Sequence, residues 1–171
     1  LEEQEARLIE AARILKSSPA EVTERVQNLS SEKKKLEQEV SSLRKEIAMG
    51  GSKNIDGSAK DEIKIVNNIQ YLGKVFNDFP AKDLKSMADS LKKKIGTGVI
   101  TLVATQEGKA SIVVGVTDDL TNKLNAVDLV RIGADTLGGK GGGGRPDMAQ
   151  AGGPNASTAN DAISAIEKEL G

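Results

Sequence analysis

Two kinds of hydrophobic spacing divide this chain. In the first 48 residues the apolar positions follow a helical period: Leu1, Leu8 and Leu15 fall seven apart with Ala11 between them. After a break, Val22, Val26, Leu29, Leu36, Val40, Leu43 and Ile47 recur at alternating steps of three and four, with Lys33 where one more apolar residue is due. A repeat of about 3.5 residues is the period of helices that pair along a narrow seam. The break itself, Ser18-Pro19-Ala20-Glu21, is a helix start: a capping serine, a proline at the first helical position and a glutamate placed to reach back. A second helix of about 30 residues is a rod of roughly 45 Å. It is too thin to bury its own stripe, so it needs a partner from residues 1–16, from a second copy of the chain, or from both. Residues 1–48 are therefore expected to be a helical coiled-coil oligomerisation segment. Met49 to Lys60, MGGSKNIDGSAK, loses every period and reads as a linker over 49–61.

From residue 62 onward the pattern changes to short β-branched runs and amphipathic helices. Glu62 to Tyr71 reads as a strand around Ile63, Ile65, Val66 and Ile69. Ala81 to Ile95 is a helix with Leu84, Met87, Ala88, Leu91 and Ile95 on one face and Lys82, Lys85, Lys92 and Lys93 on the other, a face read as solvated. Gly98–Thr105 and Ala110–Thr117 are strands joined by the hairpin signal Gln106-Glu107-Gly108-Lys109. Both are apolar at consecutive positions, which predicts helices on both faces of the sheet. Asn125 and Asp128 open a helix whose inward stripe is Val127, Val130, Ala134 and Leu137 and which Gly138 ends. Asn155 to Leu170 is a last helix with Ala159, Ala162, Ile163, Ile166 and Leu170 inward. The order strand, helix, strand, strand, helix, loop, helix predicts a small α/β globular domain over 62–171, with a mixed β-sheet flanked by helices.

Composition removes several classes of function. The chain has no Cys and no His, so disulfides, the usual zinc ligands and the usual general base are absent. With two Phe, one Tyr and no Trp, it has no platform of rings on which single-stranded bases could stack. The net charge of −1 hides no basic half: residues 1–50 carry nine cations and ten anions, and the remainder fifteen of each. Any contact with nucleic acid must then be local and shape-based. No stretch approaches the roughly 20 apolar residues of a membrane span, and the expected address is cytoplasmic. The chain begins at Leu1 without Met and reads as a piece of something longer.

Asp118-Asp119 resembles a pair of catalytic or metal-binding carboxylates, but without a third acid or a His nearby it reads better as a helix start. The stretch with real chemical content is Gly138 to Gly153, GGKGGGGRPDMAQAGG, which holds eight of the eighteen glycines in sixteen residues. That enrichment is local. A loop so built, with Lys140 and Arg145 as its cations, suits an anionic or polar ligand held by backbone amides and two charged side chains. It satisfies G-x-G-x-x-G from Gly139 to Gly144, but a helix precedes it where the dinucleotide fingerprint needs a strand, and Pro146 follows where a helix should open.

The wording GGRPDMAQAGG over Gly143–Gly153 resembles the glycine-rich motif of the C-terminal (C-Ala) domain of alanyl-tRNA synthetases, in the DHH-associated domain family. The resemblance covers residues 62–171 and, more loosely, the helical part. The usual form has three glycines before Arg-Pro-Asp and this chain has four, Gly141 to Gly144, which changes the spacing of Lys140 from Arg145. The resemblance implies a module that grips the elbow of tRNA, expected to be alanine tRNA, and that oligomerises through its helical segment, linking aminoacylation and editing centres lying upstream. It implies binding through Gly139, Lys140, Gly142, Gly143, Gly144, Arg145, Asp147 and Gln150, and oligomerisation through Val22, Val26, Leu29, Leu36, Val40, Leu43 and Ile47. It implies no catalytic residue, metal or cofactor in this segment, whereas full-length members use ATP, magnesium and zinc. The alternatives are the accessory domain of an Asp-His-His phosphoesterase, in which the same module recurs, and a coiled-coil scaffold.

Overall fold

The computed structural model describes residues 2–48 and 63–171, so the expected linker, and the side chain of Ile47, lie outside the described residues. The chain divides into two compact units, Leu1–Ser52 and Lys53–Gly171.

The first unit consists of two helices, α1 (Glu2–Ile14) and α2 (Val22–Ala48). The turn between them is built from both sides. Lys16 takes a φ of 50°, and the amides of Lys16 and Ser17 return to the carbonyls of Arg13 and Ala12 at 3.1 and 3.0 Å, which closes the carbonyl end of α1. Glu21 then accepts from the Ser18 amide at 3.2 Å and the Ser18 hydroxyl at 2.7 Å, and these bonds hold its carboxyl below the usual range. The expected capping serine and returning glutamate are both present, followed by a short 3-10 turn, Pro19–Glu21. The apolar stripe of α2 stays open to solvent: Val26, Leu29, Leu36, Val40 and Leu43 are between 41% and 62% exposed. Only Val22 of the expected seam is half-buried among these side chains.

The second unit is one six-stranded sheet in the order β1-β2-β3-β4-β6-β5, made of β1 (Lys64–Val66), β2 (Ile69–Asn77), β3 (Val99–Gln106), β4 (Lys109–Val116), β5 (Gly142–Arg145) and β6 (Met148–Gly153). Only β2 and β3 run parallel; the helix α3 (Ala81–Ile95) makes that crossover. One strand had been expected over 62–71. The sheet instead has a hairpin there, because Asn67 and Asn68 take φ of 49° and 64°, the conformation that a tight two-residue turn needs. Glu107 and Gly108 turn β3 into β4 in the same way, at 51° and 77°.

Helices cover both faces, as the unbroken apolar runs of β3 and β4 require. Val99, Val103, Ile112, Val114 and Val116 face one core with Leu129, Val130, Leu137, Ala162 and Ile166, which come from α4 (Ala126–Thr136), its C-cap and α5 (Ala159–Leu170). The alternate residues Ile100, Leu102 and Val113 are also buried and lie on the face that α3 covers. Asn125 caps α4 by accepting from the Val127 amide at 2.9 Å. Val127 and Ile163 are only partly buried, and Leu129 and Gly133 complete the inward stripe of α4 instead. Asn155 does not open α5 directly, since a 3-10 turn, Ala156–Thr158, comes first.

Tyr71 locks α5 to the sheet. Its hydroxyl donates to the Ile163 carbonyl at 2.9 Å, and Gly73 leaves the space that Ile163 and the tyrosine ring occupy. Burial pushes the Tyr71 hydroxyl well above its usual range. Tyr71→Phe should therefore lower stability by roughly 0.5–1.5 kcal/mol in urea unfolding at neutral pH. The folded state keeps a proton that the unfolded chain releases near pH 10, so the parent's advantage is complete below about pH 10 and shrinks above it. Equal stabilities of the two proteins at pH 7 would contradict this account.

Candidate nucleic-acid interface

Gly138–Gly153 is for the most part a β-hairpin and not a loop. Its second half is β6, antiparallel to β4 with Val113 opposite Gln150 and Gly115 opposite Met148. Its first half is β5, the outer edge, with Gly143 opposite Gln150 and Arg145 opposite Met148. Glycine hides this from the sequence, because alternation of side chains cannot be read where there are none.

Most of these glycines are needed by the fold. Gly138 closes the carbonyl end of α4 at a φ of +72°, and Gly141 turns the chain into β5 at +83°. A side chain at Gly139 would strike the Gly152 carbonyl, one at Gly144 the Met148 carbonyl, and one at Gly153 the Leu137 carbonyl. At Gly142 it would come within 2.8 Å of Val130 and Ala151. Gly143 differs: nothing lies within 4 Å of where its Cβ would be. It is the bare, exposed position of the edge strand.

The tip of the hairpin is tied down at several points. The Ala126 amide donates to the Pro146 carbonyl and the Val116 amide to the Asp147 carbonyl, both at 2.9 Å. From α3 the Lys92 amine donates to the Asp147 carbonyl at 3.2 Å and lies 3.4 Å from its Oδ2. Lys92 was expected on a solvated face, yet its side chain is 13% exposed. Arg145, 75% exposed, pairs with the same carboxylate, Nε to Oδ1 at 3.2 Å. Gln150 is exposed and shares a shallow recess with Ser111 and with Ala81 and Lys82 of the first turn of α3. Lys140 is exposed just before the turn at Gly141 that leads into β5, five residues before Arg145. The two cations flank β5, Lys140 before its first residue and Arg145 at its last.

Asp118 and Asp119 lie in a 3-10 turn, Asp118–Leu120, headed by Thr117. A hydrogen bond from the Thr117 hydroxyl holds the Asp119 carboxyl below its usual range. Among the described residues no group of three His, Cys, Asp or Glu side chains is placed to hold a metal ion, and no helix is long and apolar enough to cross a membrane.

A mixed sheet that closes on a glycine-rich edge hairpin, with helices on both faces, defines the class. The chain belongs to the DHHA1 domain family, which matches residues 68–171. Relatives extend the likeness into the helical unit. The alanine–tRNA ligase of Paramagnetospirillum magneticum is 56% identical over 168 residues, taking in 98% of this chain and 18% of that protein. The alanine–tRNA ligase of Mesorhizobium japonicum is 50% identical over 171 residues, 99% of this chain and 19% of that one. The chain thus spans about a fifth of the length of these ligases. Among solved structures, the C-Ala domain from Aquifex aeolicus alanyl-tRNA synthetase matches with a TM-score of 0.59 at 28% identity, over 63% of this chain and 96% of that domain.

The two kinds of glycine separate experimentally. Gly139→Ala and Gly144→Ala should each destabilise the protein by about 1–3 kcal/mol, because backbone must shift to admit the methyl. Gly143→Ala should leave the melting temperature within a degree or two of the parent. Thermal unfolding by circular dichroism measures all three, and a large loss at Gly143 would mean that the edge is covered.

Proposed function

We propose that this chain is the tRNA-binding and oligomerisation module of an alanyl-tRNA synthetase, acting in the cytoplasm. The observation that carries the reading is identity of 56% across nearly the whole chain to an alanine–tRNA ligase. The ligase chemistry, with the ATP, magnesium and zinc expected of full-length members, we assign to sequence beyond this chain, whose residues include no His or Cys.

The globular unit takes the tRNA elbow on the exposed side of the β5–β6 hairpin, where Gly143 offers bare backbone and Arg145 and Gln150 flank it; Lys140 serves the start of β5. Gly139, Gly142 and Gly144 act by shaping the hairpin. A folded RNA corner is recognised through backbone, 2′-hydroxyl and exposed base-pair contacts more than through sequence. With few cations in reach, the salt dependence should be shallow, on the order of two to four phosphates at about 0.7 to 0.9 each. Arg145→Ala should weaken binding to several tRNAs alike and flatten that slope by about one unit. Gly143→Val, which the fold can admit, should weaken binding with the slope unchanged. Parent-like affinity in both variants, or equal binding of a tRNA fragment that lacks the elbow, would remove the hairpin from the interface.

The helical unit joins copies of the chain through the stripe of Val22, Val26, Leu29, Leu36, Val40, Leu43 and Ile47. Its support is the exposure of five of these side chains, from 41% to 62%, which a helix partner would cover. Replacing Leu36, Val40 and Leu43 together by polar residues should give a monomer whose globular unit still melts as in the parent. Sedimentation at the parent's mass would refute pairing through this seam.

A further inference from the structure

Lysine side chains are seldom drawn in from solvent, and Lys92 is half-buried for a reason that can be traced. Gly115, beneath it on β4, has no side chain, and a Cβ there would stand 3.1 Å from Lys92 Cδ. The gap lets the stem lie flat and brings the amine to Asp147, with Asp118 Oδ1 further off at 4.0 Å. Asp147, itself 27% exposed, then stands between two cations: the half-buried Lys92 and the exposed Arg145. Arg145 donates an Nη2 hydrogen to its Oδ2 at 3.4 Å, and its Nε lies 3.2 Å from Oδ1 as an ion-pair contact. A guanidinium has five donors, so the Nη1 amine is left for a ligand.

The turn does not need Lys92 for its path, because the amides of Val116 and Ala126 already fix it. What Lys92 supplies is orientation and charge. It anchors the carboxylate that Arg145 leans on and offsets its charge; with the exposed Asp118 carboxylate at 4.0 Å counted in, the four side chains sum to zero. Both oxygens of Asp147 are already engaged, Oδ1 by Arg145 and Oδ2 by Lys92 and Arg145, so its acceptor capacity is spent within the cluster.

Resting on the reading of the hairpin as the RNA-binding edge, we propose that Lys92 is a positioning residue: acting through Asp147, it holds the Arg145 guanidinium in one orientation for an RNA phosphate or base edge, and Asp147 is a member of this relay, not a contact to RNA.

Lys92→Met keeps an unbranched stem over Gly115 and removes the amine. In the free protein, ¹⁵N relaxation of the Arg145 Nε–H should show an ordered side chain in the parent and a mobile one in Lys92→Met, with thermal unfolding little changed. Parent-like order in the variant overturns the relay whatever happens with RNA. In titrations with a tRNA transcript, Lys92→Met and Arg145→Ala should each weaken binding on the order of ten-fold, and the double variant should be little weaker than Arg145→Ala alone. Losses that multiply would make Lys92 an independent contact and would also overturn the proposal. If Arg145→Ala binds as the parent does, the RNA-binding reading fails, while the relaxation measurement still decides the relay. Should Lys92→Met melt early, Asp147→Asn keeps the shape and the backbone oxygen, drops the charge both cations share, and should free Arg145 in the same measurement.

Discussion

The backbone ladder between β4 and β6 is the constraint on which the rest of the globular unit depends. A hairpin made of GGGR and MAQAGG has few side chains with which to adhere to anything, so main-chain hydrogen bonds and close backbone contact must hold it. That explains the glycines more economically than ligand approach does. At Gly139, Gly144 and Gly153 a carbonyl occupies the space where a side chain would be, and only the absence of a Cβ lets the strands and the end of α4 come together. The apolar part is left to Met148 and Ala149, both buried. The ends are tied from outside: Asn155 donates to the Leu137 carbonyl and Ala156 to the Gly108 carbonyl, each at 3.1 Å. A strand held this way stays paired without being covered, and Gly143, Gly144 and Arg145 are left exposed on its outer edge.

Where side chains carry the structure, the sequence could be read. α3 begins and ends at the expected residues because its five inward apolar residues leave one solution for a helix, and β3 and β4 needed two covering layers because neither has a polar face. The reading failed where backbone conformation decides. Two adjacent asparagines at positive φ turn a single expected strand into the hairpin β1–β2, and an expected glycine loop becomes β5 and β6, which hold five of its eight glycines. Neither leaves a periodic trace. Lys92 was misplaced for a related reason: its partial burial is permitted by the absence of a side chain at Gly115, on a strand distant in sequence. The residues with the most chemistry at the tip, Arg145 and Asp147, were legible as members of a motif, but their mutual pairing was not.

Charge at the candidate interface is arranged to be small. Arg145 faces a carboxylate two residues away, that carboxylate is shared with Lys92, and Lys140 stands before the first residue of β5. Such a surface would be a poor collector of nucleic acid in general, since non-specific binding draws its free energy from many released counterions. Under the proposed role, what would remain is discrimination by contact: the bare edge at Gly143, the Arg145 guanidinium paired with Asp147, and the amide of Gln150 beside the first turn of α3. Preorganised groups lose little conformational entropy on binding, so a few contacts can suffice for a ligand that fits, while one that does not fit gains almost nothing from attraction at a distance. For the RNA-binding role proposed above, low net charge would shrink the sequence- and shape-independent term and so leave the contacts at the edge to decide between ligands.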